Sequence, residues 1–305
     1  MSTALARIPV VLNRRAGTAA AWREAVAADR RFALDEVEPG DVLAAVRRAL
    51  DAGATRIAAA GGDGTLVTAA TAIADHPGSE LAVLPGGTLN HFAAHLGIPT
   101  DPSAALDVAA SGRVARVDVA WVGGRLFLNT STVGAYVTFV RLRERLERRL
   151  PYGLASLVAG LVLFLRLPSY DVELEVDGRP RRYHTPLLFV GVGERELDAP
   201  DLARRVARGR PGLHVLVVRG RRRARLLAIA LAAARGGPRE VAALRDVDSF
   251  VVDRCRVGVG RRAARLSTDG ELLRLPAPLD YRADRGRLAV VVPPGPAEAP
   301  AAGRG

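Results

Sequence analysis

Residues 57–70 read IAAAGGDGTLVTAA, and they join a short apolar run to a helix-like segment through a turn with three glycines and one acid, Asp63. Glycine lets the backbone bend sharply and approach a phosphate group closely. A helix that begins at the turn adds free N–H groups and the positive end of its dipole. The stretch therefore predicts a phosphate-binding loop, although it lacks the lysine of a P-loop and carries a negative charge instead.

The same order of apolar run, glycine turn and helix occurs on both sides of this stretch. IPVVL (8–12) precedes NRRAG (13–17), and LAVL (81–84) precedes PGGT (85–88). Strands that alternate with helices predict a parallel sheet with helices on both faces. Ligands bind beyond the carboxyl ends of such strands, so we expect the three turns to share one edge. Tight turns would explain any one set of glycines, whereas three successive sets favour a nucleotide polyphosphate.

The predicted elements divide the chain into an α/β domain, residues 1–125, and a β-rich domain, residues 126–285, with a strand at 286–293 that returns to the first. We expect a ligand cleft between the two domains. Helices are predicted at about 18–30, at 40–53, and from the end of GGDGT to about residue 75. Two more are predicted over LNHFAAHL before Gly97 and at 226–237. Strand-like runs fill the second half, at 113–131, 171–193, 213–218, 249–259, 264–275 and 288–293, before a Pro/Gly/Ala-rich tail, 294–305, that is predicted to be disordered.

The composition is that of a globular protein with ample material for a core, since 49% of the 305 residues are hydrophobic. The net charge is +12, and arginine occurs at every position that could be lysine or arginine. This composition either reflects codon bias or provides a positive surface for phosphates on nucleic acid or anionic lipid. No nucleic-acid motif supports the first of these ligands. The single cysteine, Cys255, excludes an intrachain disulfide. We expect a cytoplasmic protein, because no signal peptide precedes IPVVL and the longest apolar run, 154–165, is shorter than a membrane span.

Four motifs occur in one order along the chain: N-x-x-x-G from Asn13 to Gly17, GGDGT (61–65), PGGTLNHFA (85–93) and DGE (269–271). In this order they resemble the diacylglycerol kinase catalytic-domain family, which includes bacterial lipid kinases and sphingosine kinases. NAD kinases and phosphofructokinases share the GGDGT motif, whereas the second glycine motif is similar to that of the lipid kinases. The resemblance implies an NAD kinase-like or phosphofructokinase-like α/β domain followed by a β-rich domain that takes a lipid substrate.

The resemblance also implies which residues contact ATP. They lie in the three glycine turns and are Asn13, Arg15, Gly17, Gly61, Gly62, Asp63, Gly64, Thr65, Gly87, Thr88 and Asn90. In the second domain, FLNTSTVGAY (127–136) looks like the family's cleft-lining strand and turn. Phosphoryl transfer needs positioning, neutralisation of charge and a base for the acceptor hydroxyl.

Three acids are candidate catalytic residues, and two of them, Glu271 and Asp63, are candidates for the base. The resemblance assigns this role to the DGE motif, so we expect Glu271 to be the general base with Asp269 beside it, although Asp-Gly is also a common hairpin turn. Asp63 is the competing assignment, either as a base or as a Mg²⁺ ligand, and it could equally cap the helix that follows it.

Two positions depart from the family's pattern. His91 stands where the lipid kinases usually have Asp, and Pro211 stands where an Asp usually supports a metal ion. The metal ligands therefore stay unassigned, and we expect Mg²⁺ to arrive with ATP rather than in a protein site. His91 and His95 are four apart, as in some zinc sites, but the glutamate of that motif is missing.

A basic segment, RLRERLERRL (141–150), leads into the apolar run 154–165. The pair could lie on a membrane surface that carries anionic phospholipid, or it could be a core helix with a solvated, charged start. A lipid kinase must reach a hydroxyl at the bilayer surface, so its resemblance to lipid kinases implies a peripheral contact at the inner membrane face.

We therefore expect an ATP- and Mg²⁺-dependent kinase that phosphorylates diacylglycerol or a related lipid. An NAD kinase is the second hypothesis, and PGGTLNHFA disfavours it. The third is a catalytically impaired nucleotide- or lipid-binding protein, which Pro211 and His91 favour and the retained acids disfavour.

Overall fold

The computed structural model describes residues 7–166, 169–176, 178–197, 202–206, 209–219 and 247–294. The chain divides into two compact units, one formed by residues up to Val117 and from Gly286 onward, the other by Asp118–Arg285. The predicted helix at 226–237 and residues 295–305 of the predicted tail lie outside the described residues.

The first unit is an α/β domain built on a parallel sheet. Its strands β1 to β4 are Ile8–Asn13, Phe32–Val37, Arg56–Gly61 and Glu80–Pro85. Its helices α1 to α5 are Ala19–Ala28, Val42–Asp51, Asp63–Ala74, His91–His95 and Pro102–Ser111. The strand order is β2-β1-β3-β4, and the end of a late strand adds in parallel beside β4 through Val290 and Val291. The predicted α/β fold class is confirmed.

The burial of β3 fits a parallel sheet that is covered on both faces. Residues 57–61, which end β3, are fully buried, as expected for a strand covered on both faces. In contrast β2 was not predicted, because it is the edge strand and the apolar residues of its sequence FALDEV neither alternate with polar ones nor form one buried run. Helix α5 was also missed, although Pro102 opens it and Asp101 caps it by accepting the N–H of Ala104 at 2.9 Å.

The second unit is mostly β-structure. Its described strands are β5 Arg113–Val122, β6 Arg125–Phe127, β7 Thr130–Gly134, β8 Tyr170–Val176, β9 Arg179–Thr185, β10 Leu187–Val192, β11 Arg195–Leu197, β12 Leu202–Arg205, β13 Leu213–Val218, β14 Val247–Val252, β15 Arg254–Gly258, β16 Ala263–Thr268, β17 Glu271–Pro276 and β18 Leu279–Val292. Its described helices are α6 Ala135–Glu147 and α7 Tyr152–Arg166. Strands β5 and β18 carry the chain between the two units.

Two antiparallel sheets enclose the core of this unit. One has the order β14-β13-β10-β7-β16-β17, and the other contains β9-β8-β15 and the first half of β18, with β5 and β6 beside it. Fully buried side chains from both sheets, such as Leu174, Val190 and Leu266, form one cluster. Apolar side chains alternate with exposed ones along β8, as expected for a strand with one buried face.

One predicted strand, 249–259, is divided in the structure. It breaks at Asp253 into β14 and β15, which belong to different sheets. Asp253 joins the break to the end of the second unit, since its carbonyl oxygen accepts the N–H of Ala283 at 2.9 Å and its carboxylate pairs with Arg285 at 2.7 Å. Both bonds reach residues far along the chain, so the local apolar pattern could not reveal the break.

Candidate active site

Three turns lie together at the carboxyl edge of the parallel sheet. Strand β1 ends at Asn13, β3 at Gly61 and β4 at Pro85. Gly61 is in register with Pro85, and Leu12 is in register with Ala60. The NRRAG, GGDGT and PGGT turns therefore form a continuous rim, the position where ligands bind in parallel sheets.

The two central glycine turns pack directly against each other. The N–H of Gly86 donates to the carbonyl oxygen of Gly61 at 2.8 Å. A Cβ atom on Gly87 would lie 2.7 Å from Cα of Gly62, and one on Gly86 would lie 3.0 Å from Cα of Gly61. No side chain fits between these backbones, so at these positions glycine is required by the contact between the loops themselves.

The first turn is fixed by Asn13. Its amide donates to Oγ1 of Thr65 at 2.9 Å, and its side-chain oxygen accepts the N–H of Arg15 at 3.0 Å. The guanidinium of Arg15 is 76% exposed and pairs with Glu38 at 3.1 Å. Gly17 has only an ordinary contact, since an added Cβ would lie 3.9 Å from the carbonyl oxygen of Gly86. Asn13 and Thr65 therefore hold the first two turns together, while Arg15 places an exposed positive charge, paired with Glu38, at the rim.

The third turn is closed by Asn90, whose backbone has φ of 50°. Its side chain accepts the N–H of Gly87 at 2.8 Å and donates to the carbonyl oxygen of the same glycine at 2.7 Å. Asparagine tolerates this left-handed conformation better than most residues. Asn90 thus shapes the loop, and the side chain of Thr88 within it is exposed.

Asp63 begins α3 and binds a different helix. Its two carboxylate oxygens accept the N–H groups of His91 and Phe92, both at 3.2 Å. Its own helix has Gly62 as the N-cap residue and no side-chain cap. The alternative that Asp63 caps the helix that follows it is therefore wrong, because the carboxylate caps α4 instead, across the contact between the two glycine turns.

Asp269 also binds backbone. Its carboxylate accepts the N–H groups of Leu128, Asn129 and Thr130 at 2.6, 2.9 and 2.8 Å. The residue sits in the β16–β17 hairpin turn with φ of 46°, so the DGE motif is a hairpin turn as the alternative expected. Glu271 is the first residue of β17 and its side chain is exposed. The turn therefore presents one accessible acid, Glu271, on a backbone that Asp269 holds.

A buried arginine supports the same backbone from the other side. The carbonyl oxygen of Asn129 accepts from Nη2 of Arg195 at 2.7 Å and from the N–H of Val192 at 2.9 Å. The N–H of Arg195 donates to Nδ1 of His214 at 2.9 Å, and Nε2 of His214 lies 2.8 Å from Oγ of Ser249. Sequence reasoning missed Arg195. The available signal was a pair of charged residues, Glu194 and Arg195, shortly after the apolar strand β10.

These hydrogen bonds and the burial of the ring also determine the protonation and the tautomer of His214. Burial lowers the pKa of its imidazole below the usual range, although the charge of Glu194 acts in the opposite direction. A neutral ring that accepts at Nδ1 carries its proton on Nε2 and donates it to Ser249. Both ring nitrogens therefore have hydrogen-bond partners. His214 is thus not available as a metal ligand in place of the Asp that the related kinases have at position 211.

The donor atoms do not fit a protein-held divalent ion. No group of three His, Cys, Asp or Glu side chains in the described ranges is arranged to hold a metal. The oxygens of Asp63 and Asp269 already accept backbone N–H groups. The structure gives no support to a zinc site at His91 and His95, since no third side chain of these types lies beside them within the described chain.

These features define an α/β domain with paired glycine turns, and residues 7–122 match the family model described as the diacylglycerol kinase catalytic domain. The predicted resemblance to that family is confirmed for this part of the chain. A "Probable lipid kinase YegS-like" protein of Pseudomonas fluorescens is 42% identical over 160 residues, which cover 51% of this chain and 52% of the relative. A diacylglycerol kinase of Staphylococcus carnosus is 31% identical over 155 residues, 50% of each chain. The chain thus spans about half the length of the curated relatives it matches.

The fold is similar over a longer range. A crystal structure of a diacylglycerol kinase from Bacillus anthracis str. Sterne superposes with a TM-score of 0.65 and 17% sequence identity, covering 96% of this chain and 99% of the other. At this identity the likeness concerns the fold alone. It supports an α/β domain with a β-rich domain as the architecture.

Proposed function

We propose that this protein is an ATP-dependent lipid kinase that transfers the γ-phosphoryl group of ATP to a hydroxyl of diacylglycerol or a related lipid. The observation that carries the proposal is the rim of glycine turns at the carboxyl edge of the sheet, within the residues that match the diacylglycerol kinase catalytic domain. The curated relatives that carry kinase names match about half of the chain.

The polyphosphate of ATP would lie on the GGDGT turn. Gly61, Gly62 and Gly64 supply close backbone approach there, and the first N–H groups of α3, including that of Thr65, have no partner within the helix. Asn13, Gly87, Thr88 and Asn90 shape the neighbouring turns, and the exposed Arg15 supplies positive charge in place of a P-loop lysine. ATP, when bound, supplies the phosphoryl group.

Glu271 is the proposed general base. Its exposed carboxylate is free to approach an acceptor hydroxyl, and the Asp269 clamp holds the turn that carries it. Asp63 is the weaker candidate, because both of its oxygens are engaged with backbone N–H groups.

The retained acids no longer count against a catalytically impaired protein. Asp63 and Asp269 have structural hydrogen bonds that would keep them in the sequence without any reaction. Within the described part of the chain Glu271 makes no hydrogen bond of this kind to backbone, so its carboxylate is the acid whose presence catalysis explains best. Magnesium is proposed to enter with ATP.

The deciding experiment supplies labelled ATP and Mg²⁺ with a panel of diacylglycerol, a sphingoid base, an isoprenoid alcohol and NAD. Label in diacylglycerol or another lipid supports the proposal. Label in NAD would establish the NAD kinase hypothesis instead. Label in no acceptor, together with tight ATP binding, would establish the impaired binding protein.

A further inference from the structure

Helices α6 and α7 form a hairpin in the second unit. A short connection, 148–151, joins them, and they pack closely along their length. Ala155 and Ala159 of α7 are fully buried, and a Cβ on Gly160 would lie 4.0 Å from the ring of Phe139 on α6. Gly160 therefore lies against α6, and Ala155 and Ala159 belong to the buried part of α7.

The opposite side of α7 presents large apolar side chains to solvent. Leu154 is 47% exposed and Leu161 is 56% exposed. They are seven residues apart, so they project from the same face of the helix, and the half-buried Val158 lies between them. Among the described residues only five large apolar side chains are exposed, and these two are the pair on a single helix face.

A row of arginines lies on the neighbouring helix. Arg141, Arg145 and Arg148 are exposed and spaced by four and three residues, which places them on one face of α6 and its end. Arg149 is exposed in the connection, next to the first turn of α7, where Leu154 lies. The hairpin thus combines a positive stripe with an apolar stripe. No helix among the described residues is both long and apolar enough to span a bilayer.

We propose that the α6–α7 hairpin is the surface by which this protein docks on an anionic phospholipid bilayer. Leu154 and Leu161 enter the boundary between headgroups and acyl chains, while the arginines of α6 and the connection contact lipid phosphates. Charge complementarity selects this occupant over a second copy of the chain, because two copies would bring the same arginine rows together. The inference rests on the proposed function, since it specifies how the enzyme reaches a lipid in the bilayer.

Vesicle flotation tests the docking surface. The full chain is mixed with vesicles of equal parts phosphatidylcholine and phosphatidylglycerol, or of phosphatidylcholine alone. The L154S/L161S variant should lose about tenfold in affinity for the anionic vesicles, because each leucine buries apolar area in the boundary. The R148Q/R149Q variant should lose roughly fivefold per arginine, and only on the anionic vesicles.

The matched control is L34S/V114S, which removes two exposed apolar side chains of the first unit. It should float like the wild type. Unchanged flotation of both hairpin variants would overturn the inference, and so would equal losses in the control. Concentration-dependent dimerisation that L154S/L161S abolishes would assign the face to a second copy instead.

A second measurement separates this inference from the proposed function. A short-chain, monodisperse diacylglycerol needs no bilayer contact, so L154S/L161S should phosphorylate it at the wild-type rate while losing activity on diacylglycerol in anionic vesicles. Equal activity of variant and wild type on vesicles would refute the docking surface and leave the kinase intact. Absence of transfer to any lipid by the wild type, with normal flotation, would refute the kinase and leave the docking surface.

Discussion

Asp269 accepts the backbone N–H of Asn129 at 2.9 Å, across 140 positions of the sequence. The same carboxylate takes the N–H groups of Leu128 and Thr130, so it fixes three consecutive residues before β7. Asp269, which we expected beside the base in the DGE motif, is thereby a clamp on the backbone. Its neighbour Glu271 remains exposed.

Replacing this clamp should destabilise the protein. Asp269→Asn keeps a residue that tolerates positive φ but presents amide N–H groups to backbone donors. We expect a loss of about 2–4 kcal/mol in the free energy of unfolding, because several charge-assisted hydrogen bonds are lost. Urea denaturation measures it. Asp280→Asn is the control, since the 65% exposed Asp280 forms a surface pair with Arg256 and its loss should cost less than about 1 kcal/mol.

Glu271→Gln should separate catalysis from stability. The exposed side chain contributes little to packing, so the unfolding midpoint should stay at the wild-type value. If Glu271 is the base, kcat for lipid phosphorylation should fall by about 100-fold or more. Glu175→Gln, another exposed glutamate on a strand of the same unit, serves as the control. Full turnover by the Glu271 variant would return the assignment to Asp63.

The contact between the glycine turns predicts an effect at Gly87. Gly87→Ala places a methyl group 2.7 Å from Cα of Gly62, and backbone on both sides limits relaxation. The turns should separate, with a loss of about 1–3 kcal/mol in stability and weaker ATP binding. Calorimetric titration with ATP and thermal unfolding measure the two effects. Gly40→Ala, where an added Cβ meets nothing within 4 Å, should leave both unchanged.

Acid should weaken the second unit through His214. Burial lowers the pKa of its imidazole in the folded protein, whereas the unfolded chain has the ordinary value of about 6.5. As the pH falls, the unfolded chain therefore binds a proton at this histidine before the folded chain does. The contribution of neutral His214 to the free energy of unfolding is present above the unfolded pKa and is lost as the pH falls through the folded pKa. Urea midpoints measured from neutral to mildly acidic pH should decline.

The His214→Gln variant checks the source of this decline. Glutamine keeps one acceptor and one donor but does not titrate, so the slope of stability against pH should become shallower. His76→Gln is the control, because His76 is bonded to a helix carbonyl at 2.8 Å in the other unit. An unchanged slope for His214→Gln would assign the acid sensitivity to other groups.

Local pattern was sufficient for much of the fold. The apolar run of β3, the glycines after it and the helix α3 were all visible in IAAAGGDGTLVTAA, because each depends on residues close in sequence. The edge strand β2 was missed because its apolar residues show neither alternation nor a continuous buried run. The break at Asp253 depends on Ala283 and Arg285, which local reasoning cannot associate with it.

The site was predictable in its residue types and less so in their roles. Glycine turns after buried strands identified the rim from sequence alone. The partner of Asp63 lies 28 residues away on another helix, so no spacing rule could distinguish a cap from a metal ligand. The support of Asn129 by Arg195 spans 66 residues and uses a carbonyl oxygen, which leaves no trace in side-chain motifs.

The late strand beside β4 has a consequence for synthesis on the ribosome. Val290 and Val291 complete the parallel sheet of the first unit, yet they emerge only after all of Asp118–Arg285 has been made. Until then the edge at Leu81 and Ala82 offers unpaired N–H and C=O groups to any other extended chain. The glycine rim of the nascent protein is therefore built on a sheet with an open side for most of translation, and this interval is when we expect chaperones to matter most.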